Sequence, residues 1–336
     1  MEEYLIALES ELRAMVVSSN PTYDAYYGML KYHLGWTDVH FVPTKTDTGK
    51  RIRPLICLLA SEATGADWRR ALPIATAIEL VHNFSLIHDD IEDSSDERRG
   101  RPAVWKVWGL AQGLNAGDGM FLLSRLALDR MPQHGTPPEK CAQINLQFDS
   151  TTLELCHGQF LDLSFEARLD VTVDEYLQMI RGKTGALVCA SAKLGAIIGS
   201  DDQTVIDAFA RFGENIGLAF QIADDILGVW GDPAVTGKSA ATDILSKKKA
   251  FPAIMGLSHP QHGAALREIY AESELAPADV KRVLEIFDAI GAREQAQQRA
   301  DHFRATALSA LDATRLHNRA MDRLREIAEA MTRRVR

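Results

Sequence analysis

Long apolar segments with three-to-four-residue spacing do most to fix what this chain can become. The clearest, ALPIATAIELVHNFSLIH at residues 71–88, has the period of an α-helix rather than the alternation of a strand. Ala, Leu, Glu, Arg and Gln dominate such segments, and hairpin signals between alternating strands are scarce. The reading is all-α, with helices over 2–17, 22–34, 51–64, 70–95, 104–131, 138–166, 174–199, 203–229, 240–257, 263–271, 277–289 and 292–333, the last broken. PQHGTPPE at 132–139, GDPAVTG at 231–237 and SHPQHG at 258–263 read as loops, and none as a linker. With 46% hydrophobic and 25% charged residues, the chain is expected to form a single domain, 1–336: one large helical bundle whose facing helices build a site around a central cavity.

Two acidic clusters interrupt this apolar background: Asp89-Asp90-Ile91-Glu92-Asp93, and Asp224-Asp225 in FQIADDILGVWGD. Each helical residue turns the side chain by about 100°, so Asp89 and Asp93 fall on one face, with His82 and Asp96 close to the same stripe. That spacing suits a hard cation. Mg²⁺ takes one or two protein carboxylates and completes its shell with water and substrate phosphate oxygens. A solvated acidic helix end would account for an isolated run. It does not account for the apolar ELVHNFSLIH before these acids or the cationic Arg98-Arg99-Gly100-Arg101 after them.

A basic element lies upstream. Lys50, Arg51 and Arg53 put three cations in four residues, immediately before the apolar run from Leu55 to Ala60. Guanidinium and ammonium groups are the usual partners of phosphate oxygens. Further lysines stand at Lys183, Lys238 and Lys247-Lys248-Lys249.

A net charge of −9 and pI near 5.6 disfavour nucleic acid, whose partners carry basic surfaces. A cleft lined with Lys, Arg and Mg²⁺ still accepts a diphosphate. Cys57, Cys141, Cys156 and Cys189 lack C-x-x-C spacing and read as reduced core residues. MEEYLIALESEL is not a secretory signal. GALVCASAKLGAIIG at 185–199 is short and interrupted by Lys193, so no transmembrane segment is expected, and the cytoplasm is the expected location.

The chain resembles the trans-isoprenyl (polyprenyl) diphosphate synthases, in particular short-chain farnesyl and geranylgeranyl diphosphate synthases. The matching motifs are GKRIRP at 49–54, HDDIEDSSDERRG at 88–100, GQFLD at 158–162, KTGAL at 183–187, FQIADDILG at 220–228 and GKSAATD with KKK at 237–249, in the family's order. The resemblance implies the isoprenoid synthase fold and a homodimer. It implies Mg²⁺, three ions, with Mn²⁺ as an alternative, held by Asp89, Asp93 and Asp224. It makes Arg98, Lys183, Lys238 and Lys248 ligands of an allylic diphosphate, and Lys50, Arg53, His82 and Arg99 ligands of isopentenyl diphosphate. Thr184 and Gln221 would turn their dipoles toward an allylic carbocation, or form an ordinary polar network. Asp225 binds metal through water or pairs with a lysine; Asp243 fixes Lys238 or a metal water. Gln159 and Asp162 line the site or are structural, and Asp118 is structural. The implied reaction is ionisation of the allylic diphosphate, condensation with isopentenyl diphosphate and loss of a proton.

Gly228 departs from the pattern, standing where many relatives have a third Asp; Asp232 is a candidate substitute. The resemblance also implies that Phe84 and Ser85, five and four residues before Asp89, set chain length, the bulky Phe84 resembling the pattern of C20-forming enzymes, with C15 next. A class I terpene cyclase would not need Lys50, Arg53, His82 and Arg99. A non-catalytic partner subunit could dispense with the acids, and a head-to-head condensing enzyme does not explain GKRIRP.

Overall fold

The computed structural model describes residues 1–44, 46, 48–231 and 242–332. It is mainly helical: α1 (Glu2–Met15), α2 (Asp24–His33), α3 (Ile52–Ala63), α4 (Leu72–Glu92), α5 (Val104–Trp108), α6 (Leu110–Leu128), α7 (Pro138–Phe165), α8 (Val173–Ile180), α9 (Ala186–Gly199), α10 (Gln203–Trp230), α11 (Thr242–Leu245), α12 (Phe251–Ser258), α13 (Gly263–Ala271), α14 (Pro277–Ala289), α15 (Ala292–Ala313) and α16 (Arg319–Thr332). Contacts divide it into two compact units, Met1–Gln147 with Lys193–Asp201, and Phe148–Ala192 with Asp202–Arg336.

In the first unit α4 is the central element. It packs along α6 and against α3 and α1. Leu72, Ile74, Ile78, Leu80 and Val81 are all buried, and each aliphatic side chain taken from water contributes roughly 1.5–3 kcal/mol. Pro73 opens the helix, where its missing N–H costs nothing.

The second unit is organised on α10, which packs against α15 and also meets α8, α11, α12 and α16. Ala296, Ala300 and Ala307 keep the α15 face shallow. One core of this unit gathers Phe165, Tyr176, Ile222, Ile226, Phe251 and Ile254. A Thr172–Glu175 capping box starts α8.

The sequence-based boundaries need four corrections. The expected 104–131 helix breaks at Gly109, whose φ of 87° and ψ of 159° lie outside what other residues adopt. Residues 174–199 are not one α-helix: Arg181–Gly185 forms a π turn between α8 and α9. The expected 240–257 helix is α11 and α12 separated by a loop, with Lys247 left-handed at φ 53° and Pro252 in the first turn of α12. Last, residues 97–102 hold a hairpin pairing Glu97 with Pro102 and Arg98 with Arg101. Its turn residues, Arg99 and Gly100, both have positive φ, as a tight two-residue hairpin of this kind requires.

Candidate functional site

The first unit places the acids of the first cluster in the last turn of α4. Asp89 is half-buried, Asp90 fully buried, and Asp93 exposed at the helix C-cap. The negative end of the helix dipole also lies here, so carboxylates are unfavourable unless a cation joins them. One such cation belongs to the chain. Arg98 Nε donates to Asp90 Oδ1 at 2.9 Å, and Arg98 Nη2 lies 3.8 Å from Asp89 Oδ2. Burial pushes the Asp90 carboxyl up, and Arg98 opposes the shift. Asp90 is therefore the inward anchor of Arg98, while Asp89 and Asp93 present oxygens outward.

The basic residues gather beside this helix end. Arg53 Nη1 lies 3.4 Å from His82 Nε2. The Arg99 guanidinium lies so close to Gly49 that a Cβ there would sit 3.0 Å from Nη2, which places Arg99 beside the residue preceding Lys50. Burial holds His82 well below the usual imidazole range, reinforced by Arg53, Arg99, Arg51 and Arg98. His82 is thus a neutral ring among four arginines. His33 is also kept neutral, first by burial and then by Arg99, Arg98 and Arg51. With Tyr32, Arg98, Arg99 and Arg101 it lines a small cavity behind the hairpin. Arg101 is held in place by Thr46 Oγ1 at 2.9 Å and Thr37 O at 2.8 Å.

Phe84 lies on the same helix, its ring 5.5 Å from Phe121 of α6 and 4.9 Å from His88. Ser85 returns its hydroxyl to His82 O at 2.8 Å. Asp118 lies 3.7 Å from His88 Nε2.

The second unit assembles the second group. Gly158 and Gly182 let α7 and the π turn meet backbone to backbone: a Cβ on Gly158 would lie 2.0 Å from the Lys183 N. This close approach puts Lys183 against Asp162, Nζ to Oδ2 at 2.5 Å. The next residue, Thr184, donates to Gln221 Oε1 at 2.7 Å, and Gln221 Nε2 donates to Asp225 Oδ1 at 3.0 Å. Asp225 also accepts from Tyr176 Oη at 2.6 Å and Phe251 N at 2.9 Å. Burial pushes Asp225 up to about 6, with Lys248 the largest opposing influence. Asp224, one residue before it, is exposed.

Of the three consecutive lysines, only Lys248 approaches these acids. Lys247 donates to Glu272 O and Ser273 O, and Lys249 to Glu166 O. Lys248 Nζ lies 3.9 Å from both Asp225 Oδ1 and Asp243 Oδ2. Burial alone would lower the Lys248 ammonium; Asp225, Asp243, Asp224 and Asp162 outweigh it and raise it. A Cβ on Gly228 would fall 2.1 Å from Asp243 Oδ2, so Asp243 brings a carboxylate to the place of the missing third acid. Lys238 and Asp232 lie outside the described residues.

Sequence reasoning missed Glu79 and Asn83, which join Arg51 in a buried cluster, and Tyr176, which holds Asp225. Glu79 and Asn83 were detectable as polar residues one turn apart inside an apolar run. Tyr176 left no such signal.

Residues 41–287 match the polyprenyl synthetase family. The chain is 43% identical over 244 residues to the (2E,6E)-farnesyl diphosphate synthase of Mycobacterium tuberculosis, covering 72% of this chain and 66%, just under two thirds, of that one. It is 37% identical to the geranylgeranyl diphosphate synthase of the same organism, over 85% of this chain and 82% of the relative. Among solved structures, the polyprenyl synthetase of Streptomyces coelicolor superposes with a TM-score of 0.89 at 34% identity, covering 98% of each chain. The geranylgeranyl pyrophosphate synthase of Corynebacterium glutamicum, complexed with isoprenyl diphosphate and magnesium, superposes at 0.80 with 29% identity, over 99% of this chain and 98% of that one. The fold is that of the all-α isoprenoid synthases. The chain belongs to the polyprenyl synthetase family.

Proposed function

We propose that this chain is a short-chain all-trans prenyltransferase that condenses isopentenyl diphosphate with an allylic diphosphate. The observation that supports the reading is the cationic cluster of the first unit: Arg53 against neutral His82, and Arg99 against Gly49, the residue before Lys50; we read it as an anion pocket. A cyclase, which ionises a single diphosphate, has no use for that second pocket. A non-catalytic subunit has no use for Asp89, Asp93 and Asp224. The mycobacterial relatives favour the same reading.

Each unit offers carboxylate oxygens of the kind a hard divalent ion takes, Asp89 and Asp93 in the first and Asp224 in the second, with Asp93 and Asp224 exposed. We assign Mg²⁺ to these acids, as three ions with Mn²⁺ as the alternative; when bound it stabilises the charge that develops on the departing diphosphate. The chain's residues do the rest. Arg98, steadied by Asp90, Lys183, steadied by Asp162, and Lys248, between Asp225 and Asp243, hold the allylic diphosphate together with Lys238. Lys50, Arg53, His82 and Arg99 hold isopentenyl diphosphate. Thr184 and Gln221 set the polarity near C1 through the hydrogen-bonded row that ends at Asp225, where water must be kept out because it would quench a carbocation.

Phe84, backed by Phe121, forms the floor of the tail pocket with small Ser85 beside it, giving C20 first and C15 next. The two units act as one catalytic domain. The partner is a second copy of the chain: Leu110, Leu122 and Leu126 on α6 are 53–59% exposed, and Leu146 and Phe160 on α7 are 65% and 69% exposed, an apolar display that calls for cover. Among the described residues no helix is long and apolar enough to cross a membrane, and we place the enzyme in the cytoplasm. The test is diphosphate release, assayed with each substrate alone and with both, with and without EDTA. Release only with both substrates and free Mg²⁺ supports the reading; release from the allylic substrate alone favours a cyclase.

A further inference from the structure

We propose that Glu79, Arg51 and Asn83 form the positioning device of the isopentenyl diphosphate pocket, a charge-balanced network that holds Lys50, Arg53 and His82 without touching substrate. The inference rests on the prenyltransferase reading above. Glu79 is 2% exposed and Asn83 fully buried, both inside the apolar run of α4. A buried carboxylate is costly unless its oxygens are paired. Here Oε1 takes an ion pair from Arg51 Nη1 and a hydrogen bond from Asn83 Nδ2 at 2.8 Å, while Asn83 Nδ2 also donates to Glu79 O at 2.7 Å.

The backbone at Arg51 explains why this matters for the pocket. Arg51 is left-handed, φ 50° and ψ 35°, at the N-cap of α3, a conformation an arginine keeps only where its surroundings hold it. The buried pair with Glu79 supplies the hold. That turn separates Lys50 from Arg53 and sets both relative to α3. On the partner helix, Asn83 follows His82 directly and Glu79 precedes it by about one turn. The pair thus ties both halves of the pocket, the Lys50–Arg53 segment and the His82 turn, at one carboxylate. It also turns the Arg51 guanidinium inward, away from the substrate. Glu79 further acts on Arg53, opposing the effect of its burial.

Steady-state kinetics with each substrate varied separately, on Glu79→Gln, Glu79→Asp and Asn83→Ala, test this. Loss of a group that orients a ligand-binding side chain costs about tenfold or more, so Glu79→Gln is expected to raise KM for isopentenyl diphosphate by about that factor, leaving kcat and the allylic KM within about twofold. Glu79→Asp, which keeps the charge, should recover part of the loss. Asn83→Ala, which keeps the ion pair, should raise the same KM by less, and decides the matter if Glu79→Gln does not fold. A lowered melting temperature with unchanged KM for isopentenyl diphosphate, or equal rises for both substrates, would overturn the proposal by making the network purely structural. A wild-type protein that never consumes isopentenyl diphosphate would instead remove the prenyltransferase reading, and the proposal with it.

Discussion

Mild acid should destabilise this protein through its buried histidines, and His33 allows the effect to be worked out. His33 is 8% exposed, and its Nε2 has no hydrogen-bond partner. Burial, then Arg99, Arg98 and Arg51, hold it well below its ordinary value of 6.5. The unfolded chain binds a proton at 6.5 and the native one does not, so below that pH the unfolded state holds the extra proton and stability falls with acidification. The contribution is intact above 6.5 and is lost from there down to the folded value. Below 6.5, and above the folded value, one such proton steepens the loss by at most about 1.4 kcal/mol per pH unit. His82 is shifted in the same direction and adds to the slope. The assay is urea unfolding across this range for wild type and His33→Gln. Absolute stability will differ between them, but the slope difference isolates the proton. Equal slopes would show that His33 titrates in the native state and that the cationic crowding does not govern it.

Phe84→Ala removes the ring that packs on Phe121 and should shift dephosphorylated products to longer alcohols; an unchanged chromatographic profile removes Phe84 from the floor. Gly158→Ala forces a methyl group to within 2.0 Å of the Lys183 N and should cost about 1–3 kcal/mol in chemical denaturation, with a fall in kcat as Lys183 is displaced. Arg98→Ala strands Asp90, which is 1% exposed, and should cost about 3 kcal/mol or more. Arg98→Lys, which keeps the charge but loses the fork, should retain most of that stability while weakening allylic diphosphate binding, measurable by calorimetry.

The helical class and the two acid clusters were legible because each has a period: apolar spacing defines the helix, and carboxylates one turn apart define a face. The breaks were less legible. Gly109 resembles any glycine in a helical run, and the conformation that demands it arises only when α5 and α6 are packed. The π turn at Arg181–Gly185 depends on Gly158 lying opposite Gly182, a long-range match invisible to local spacing. The same limit applies to the site. Asp89 and Asp224 could be singled out from their motifs, but whether neighbouring Asp90 and Asp225 face outward or inward depends on Arg98, Tyr176 and Phe251, which come from other elements. Arg51 looked like one of three equivalent cations until its turn placed it against Glu79.

The central claim is that two diphosphates are joined into one longer linear chain. Its most direct test is mass spectrometry of dephosphorylated products after incubation with Mg²⁺, isopentenyl diphosphate and, separately, dimethylallyl, geranyl and farnesyl diphosphates. The account predicts linear all-trans alcohols ending at C20, or at C15 if the floor is higher; cyclic hydrocarbons, or no turnover with any primer, would contradict it.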